Sequence, residues 1–211
     1  IPPRIALRIL HDVLSALAYA HDRVDTYGQP MRIVHRDVNP RNIMISVRGE
    51  VKLIDFGVAK ADTRHDETTG HAIKGKFAYM APEQIESELP VDSRADLFAV
   101  GLLLQELLTG THPFRHLHEV QIIHRLMADR IDPMPDAPAP LNPAAVREVR
   151  DRVLSSDPAD RHPDARALQA DLRRLAAPMG GLASRAELAE FFRRADPKAA
   201  ARIAQRLNHW K

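Results

Sequence analysis

The chain has 211 residues, which is long enough to bury the core of one domain, and an apolar fraction of 45% that is ordinary for a globular protein. It contains no cysteine, which excludes a disulfide scaffold and a thiolate metal site and fits a reducing cytoplasm. The formal net charge is only +2, so the composition gives little support for a nucleic-acid-binding protein.

The first part of the chain is predicted to contain one long helix and a β-hairpin. Apolar residues recur at helical spacing over residues 3–21 and form a single stripe. Short strand-like runs follow at residues 33–34, 43–45 and 51–54. Gly49 lies in the turn between the last two runs, which therefore pair as a hairpin. Residues 61–76 are polar and lack an apolar period, which predicts a mobile loop.

The rest of the chain is predicted to be helical. The expected helices lie near residues 93–109, 117–128, 144–155, 164–176, 184–194 and 198–209. The first has apolar residues on most faces, which indicates a central buried helix capped by Asp92 or Ser93 and ended by Gly110. Its apolar run, residues 97–108, is far too short for a membrane span, so we expect no membrane segment in this chain.

Three short motifs occur in a fixed order along the chain. They are His35-Arg36-Asp37-Val38-Asn39-Pro40-Arg41-Asn42, then Asp55-Phe56-Gly57, then Ala81-Pro82-Glu83. They match H-R-D-x-x-x-x-N, D-F-G and A-P-E, the signatures of the protein kinase catalytic lobe. Residues 1–176 therefore resemble the C-terminal lobe of a eukaryotic-like bacterial serine/threonine protein kinase, a mainly α fold with a small β-hairpin. Residues 177–211 are interpreted as a C-terminal helical extension.

The kinase signature also includes a glycine-rich loop and a lysine–glutamate pair, both of which precede H-R-D. The residues before His35 contain one glycine, no lysine and no glutamate. We therefore expect the N-terminal lobe to be missing, as in a piece of a longer polypeptide, and this chain alone to be weak or inactive. The expected partners are that lobe and protein substrates. A pseudokinase-like regulatory or binding module is the alternative, although Asp37, Asn42 and Asp55 are all intact.

The resemblance implies roles for individual residues in a reaction that uses ATP and Mg²⁺. Asp37 is then the catalytic base, while Asn42 and Asp55 hold magnesium at the nucleotide phosphates. Met44 fits the strand position beneath the adenine ring. His35 stacks near Phe56 as part of the structural core.

Further residues match regulatory and structural positions of the kinase lobe. Arg36 resembles the arginine that pairs with a phosphorylated activation-loop residue, for which Thr68 and Thr69 are the candidates; a loop whose threonines are never modified is the other interpretation. Glu83 and Arg161 match a buried ion pair. In the pattern D-x-[WF]-x-x-G, Asp96 holds the catalytic-loop backbone, and Phe98 stands where tryptophan is commoner.

Two departures from the serine/threonine pattern concern the positive charge near the transferred phosphate. Asn39 replaces the usual lysine two residues after the catalytic aspartate, and Lys76 replaces a threonine in the facing loop. We hypothesise that Lys76 supplies the missing cation. Arg41, which stands where tyrosine kinases carry an arginine, is a second candidate, and simple tolerance of lysine at position 76 is the remaining alternative.

The eleven histidines suggest a metal site, above all His112, His116, His118 and His124. No cysteine or acidic ligand completes such a set, so a histidine metal site is set aside.

Overall fold

The computed structural model describes residues 1–56, 76–86 and 91–197, apart from the side chain of Lys76. Within these ranges the helices are α1 (Pro3–His21), α2 (Pro82–Ile85), α3 (Arg94–Thr109), α4 (Glu119–Met127), α5 (Pro143–Val153), α6 (Ala165–Ala176) and α7 (Arg185–Ala195). The strands are β1 (Ile43–Ile45) and β2 (Val51–Leu53). The fold is therefore mainly α with one small hairpin, as the sequence predicts. In these ranges no helix has the length and apolar character needed to cross a membrane.

The β-hairpin is antiparallel, and Ile43 pairs with Leu53 at its open end. Its turn is closed by Ser46, whose hydroxyl accepts hydrogen bonds from the backbone N–H groups of Arg48 and Glu50. Gly49 in this turn has a φ of 73°, a left-handed conformation that glycine adopts without a steric penalty. The side chains alternate, so that one face of the hairpin packs on the core and the opposite face is exposed.

The strand expected at residues 33–34 is not formed. The backbone N–H groups that follow it, those of His35 and Arg36, instead donate to the carboxylate of Asp96. A side chain thus satisfies the backbone donors directly after residues 33–34, and these two residues do not join the described sheet.

Helix α3 is the centre of the lobe, as its apolar composition predicts. At its N-terminus, Oδ1 of Asp92 accepts a hydrogen bond from the N–H of Arg94 at 2.8 Å. At its C-terminus, the helix ends at Gly110, which has a φ of 72°. Gly101 allows α5 to approach closely, since a Cβ at this position would lie 2.4 Å from Cγ1 of Val153. Helices α1 and α5 pack against α3, and α6 packs against α1 and α5 to complete the main core.

His162 and Asp171 of α6 form a buried polar pair. His162 is fully buried, and its Nε2 lies 2.9 Å from Oδ2 of Asp171. Burial lowers the pKa of His162 to about 4, with the positive charges of Arg152 and Arg174 acting in the same direction and Asp164 opposing them. The imidazole is therefore neutral at physiological pH and donates to the Asp171 carboxylate.

The C-terminal extension is a helix that docks on the lobe. Ser184 caps α7 through a capping box with Glu187, and Leu188 on its inner face is fully buried. The second helix expected there, at residues 198–209, lies outside the described residues. The domain boundary near residue 176 stays a prediction.

Candidate active site

The catalytic loop is held together around Asp37. The side-chain amide of Asn39 donates to the Asp37 backbone oxygen at 3.0 Å and to its Oδ1 at 2.9 Å. The amide of Asn42 donates to the same backbone oxygen at 2.8 Å and to Oδ2 at 3.2 Å. Each carboxylate oxygen of Asp37 thus accepts from a side-chain amide, which orients the carboxylate.

Asn39 has a role that sequence reasoning missed. The sequence indicates only the loss of a lysine at this position. In the structure, Oδ1 of Asn39 accepts from the N–H of Arg41 at 2.9 Å and caps the 3₁₀ turn Pro40–Asn42. One side chain therefore both shapes the catalytic loop and orients Asp37. Asparagine is a common capping residue, which is the signal that points to this role.

The base of the hairpin brings Asp55 to the same edge as Asp37 and Asn42. The N–H of Ile54 donates to the backbone oxygen of Asn42 at 2.9 Å, so the residue before Asp55 is paired with a site residue. Nε2 of His35 lies 2.9 Å from the backbone oxygen of Ile54. These hydrogen bonds join Asn42 to Asp37 and to Ile54, the residue that precedes Asp55.

Asp55 has a φ of 59°, which places a non-glycine residue in the left-handed region. Such a conformation costs of order 1 kcal/mol or more and is found at functional sites. The rings of His35 and Phe56 are in contact, with centroids 4.5 Å apart and planes tilted by 55°. This contact fixes the backbone on the far side of Asp55.

Asp96 joins the catalytic loop to the central helix. It is 1% exposed, and its carboxylate oxygens accept at 2.8 Å from the N–H groups of His35 and Arg36. Arg36 has a φ of 64°, so Asp96 stabilises a second strained residue. Nε2 of His21 lies 2.8 Å from the same carboxylate. Sequence reasoning missed His21, because no local pattern links residues 75 positions apart.

Glu83 and Arg161 form a buried bidentate ion pair. Their two N–H···O bonds measure 2.6 and 2.8 Å, and both residues are 2% exposed. Arg161 also donates to three backbone oxygens, those of Ser155, Ser156 and Arg94. Its guanidinium lies 4.9 Å from the centre of the Phe98 ring, a cation–π contact. This pair connects the A-P-E motif to the segment that precedes α6.

Gln84 links the A-P-E helix to the catalytic loop, and sequence reasoning did not single it out. Its Oε1 accepts from the N–H of Ala81 at 2.9 Å, and its Nε2 donates to the backbone oxygen of Arg36 at 3.0 Å. The peptide groups on both sides of Arg36 are therefore bonded, one to Asp96 and the other to Gln84.

Tyr79, which follows Lys76 by three residues, is hydrogen-bonded to Glu106 of α3. The hydroxyl of Tyr79 donates to Oε2 of Glu106 at 2.5 Å, and burial together with this carboxylate raises the pKa of Tyr79. The ring of His112 lies 4.7 Å from that of Tyr79, and burial lowers the pKa of His112 although Glu106 opposes the shift. His112 is thus a neutral packing partner.

The remaining predicted residues divide into those that the structure describes and those that it does not. Met44 is 54% exposed and projects from the outer face of the hairpin, where a ring could lie against it. The side chains of Arg36 and Arg41 are exposed. Thr68 and Thr69 and the side chain of Lys76 lie outside the described part of the chain, so their roles stay predictions.

The donor set fits magnesium that is bound together with phosphates. In the described ranges no group of three or more histidine, aspartate or glutamate side chains is arranged to hold a metal ion by itself. Asp55 and Asn42 offer a carboxylate and an amide oxygen, which are hard donors. Mg²⁺ commonly takes one or two protein ligands and completes its octahedron with phosphate oxygens and water.

The chain is similar to known proteins over most of its length. A family model described as "Protein kinase domain" matches residues 1–172. The tyrosine-protein kinase MasK of Myxococcus xanthus is 37% identical over 167 residues, which cover 79% of this chain and 26% of MasK. The serine/threonine-protein kinase PknL of Mycobacterium tuberculosis is 39% identical over 178 residues, covering 83% of this chain and 41% of PknL.

A third relative is the serine/threonine-protein kinase PrkC of Bacillus subtilis, which is 33% identical over 172 residues. That match covers 81% of this chain and 25% of PrkC. The chain spans about a quarter to two fifths of the length of these three relatives.

Proposed function

The chain belongs to the protein kinase domain family, and from this premise we propose that it carries the catalytic loop of an ATP-dependent protein kinase. The observation that carries the proposal is the arrangement around Asp37, in which two amides orient one carboxylate at the edge that Asp55 also occupies. An oriented, ionised carboxylate is what proton transfer from a substrate hydroxyl requires.

In the proposed reaction Asp37 orients the attacking hydroxyl and accepts its proton. The hydroxyl oxygen forms a bond to the γ-phosphorus of ATP as the bond from that phosphorus to the bridging oxygen breaks, and ADP leaves with that oxygen. Asn42 and Asp55 would hold magnesium, which neutralises charge on the phosphates. Asn39 and Asn42 keep Asp37 in one orientation throughout.

We further propose serine or threonine as the acceptor. The stretch Tyr79-Met80-Ala81-Pro82-Glu83 and the general resemblance to bacterial serine/threonine kinases support this class. Tyrosine is the second candidate, because Arg41 stands where tyrosine kinases carry an arginine and because MasK is among the relatives.

The residues that precede His35 offer no lysine and no glutamate for a phosphate-binding pair. We therefore propose that efficient transfer requires an N-terminal lobe as partner. A regulatory module that binds partners without transferring phosphate is the alternative from another functional class.

The test is Mg²⁺-dependent transfer of ³²P from γ-labelled ATP to a general protein substrate, followed by phosphoamino-acid analysis. The chain is assayed by itself and fused behind the N-terminal lobe of PknL. We expect phosphoserine or phosphothreonine from the fusion, and a loss of at least about a hundredfold in Asp37→Asn, because general-base catalysis contributes factors of this size.

Asp136→Asn is the matched control, since its carboxylate is 79% exposed in a surface ion pair. Phosphotyrosine would overturn the proposed acceptor class. Equal transfer by the wild type and Asp37→Asn would refute the role of Asp37. A folded fusion that binds Mg-ATP and transfers nothing would favour the regulatory module.

A further inference from the structure

Helix α7 lies beyond residue 172, where the family match ends, and it packs against the hairpin that leads to the active site. Leu188 of α7 is fully buried in a small cluster that is separate from the main core. The other members of this cluster are Ile5, Ile9 and Ala183, with Ile43, Ile45, Val51, Leu107, Phe191 and Phe192 packed against it. Three of these residues, Ile43, Ile45 and Val51, lie on the inner face of the hairpin. The fourth inner residue, Leu53, belongs to the main core, against which Ile43 and Val51 also pack.

The turn of the hairpin also touches the backbone of α7 directly. A Cβ built at Gly49 would lie 2.0 Å from the backbone oxygen of Arg185 and 3.1 Å from the nitrogen of Ala189. Only glycine permits this approach without displacing the helix or the turn. The contact thus fixes the closed end of the hairpin relative to α7.

The segment before α7 is bonded to α1, so α7 is not a loosely attached tail. The guanidinium of Arg4 donates to the backbone oxygens of Gly181 at 3.0 Å and Leu182 at 3.3 Å. Arg8 donates to the backbone oxygen of Ala183 at 3.0 Å. The N–H of Ala183 returns a bond to the oxygen of Arg4 at 3.3 Å.

We propose that α7 is a brace for the hairpin and that Leu188 and Gly49 are positioning residues for Asn42 and Asp55, an inference that rests on the proposed function. A two-stranded hairpin is marginally stable by itself in water, and each strand here has three residues. The pair Ile54 N–H to Asn42 oxygen closes the ladder at its open end. Three strand residues separate that pair from Ser46 in the turn, a span of roughly 13 Å, so a turn released from α7 allows the site end to open.

The first test is amide hydrogen exchange at Ile54 in the whole 211-residue chain, under conditions in which the rates report opening equilibria. Leu188→Ala is compared with Leu172→Ala, since both leucines are fully buried but Leu172 lies in α6 and packs in the main core. We expect Ile54 exchange to rise about tenfold or more in Leu188→Ala and to change less than about twofold in Leu172→Ala. Exchange at Leu103 in α3 should rise in both variants.

Unchanged Ile54 exchange in Leu188→Ala, or an equal rise in both variants, would overturn the brace. A second pair of variants keeps the test decisive where a leucine variant fails to fold. Gly49→Ala forces the turn away from α7, whereas Gly110→Ala has the same left-handed strain with open space around its Cβ. Only Gly49→Ala should accelerate exchange at Ile54.

The kinetic consequence is measured in the active fusion. We expect Leu188→Ala to raise KM for Mg-ATP severalfold and to leave KM for the protein substrate unchanged, because Asn42 and Asp55 would hold the magnesium of Mg-ATP. Hydrogen exchange needs no catalysis, so it separates the two proposals. If the chain shows the Ile54 response while the folded fusion transfers no phosphate, the proposed function is refuted and the brace is retained.

Discussion

The buried ion pair between Glu83 and Arg161 allows a sharp prediction about stability. Replacing Arg161 by methionine removes the cation but keeps most of the apolar stem, so the carboxylate of Glu83 stays 2% exposed without its bidentate partner. Breaking a buried pair in this way costs about 3–5 kcal/mol. The variant also strands three backbone oxygens that Arg161 now satisfies. We therefore expect a loss at the upper end of that range.

Glu83→Gln should cost less, about 1.5–3 kcal/mol, since Arg161 keeps its backbone acceptors and the amide oxygen still accepts. The double variant should cost less than the sum of the two single variants, because it leaves no unpaired buried carboxylate. Urea unfolding followed by circular dichroism measures each free energy, with m-values compared to check two-state behaviour.

Arg147→Met is the matched control, because Arg147 pairs with Asp136 on the surface at 43% and 79% exposure. An exposed pair of this kind is worth about 1 kcal/mol or less. The reasoning is refuted if Arg161→Met costs no more than Arg147→Met, or if the two single-variant losses at Glu83 and Arg161 simply add.

Three further predictions concern charge, pH and packing. In the active fusion, Lys76→Met should reduce kcat by about tenfold or more if Lys76 supplies the missing cation; unchanged turnover in the phosphotransfer assay would reject that hypothesis. For His162, whose pKa lies near 4 in the folded chain, stability should be full above pH 6.5, where the unfolded state is neutral too, and should fall as the pH decreases toward 4. The loss of unfolding free energy should be at most about 3 kcal/mol, and the nearby Asp171 carboxylate reduces it. In urea titrations at several pH values, His162→Gln should flatten this dependence of stability on pH. Gly101→Ala should destabilise the chain by about 1–3 kcal/mol, because its Cβ would overlap Val153, and an unchanged urea midpoint would contradict the packing described for α3 and α5.

Several features were predictable from local sequence because their causes are local. The stripe of α1, the turn at Gly49 and the end of α3 at Gly110 each follow from side-chain spacing or from a backbone conformation that only certain residues adopt. The order of the three motifs identified the family without any knowledge of contacts. The prediction of a strand at residues 33–34 was wrong. The carboxylate of Asp96 in α3, which is distant in sequence, accepts hydrogen bonds from the backbone N–H groups of the next two residues, His35 and Arg36.

By itself the sequence determined the family, the helical character and the residue types that surround the proposed phosphate site, since these depend on periodicity and on short motifs. Only the tertiary structure decided that Asn39 orients Asp37, that His21 and Gln84 support the catalytic loop, and that α7 packs behind the hairpin. The physical reason is that hydrogen bonds and close packing act over a few ångströms in space. Among the described residues, those that they join lie up to 183 positions apart in the chain, as for Arg4 and Glu187, and no local pattern records such a contact.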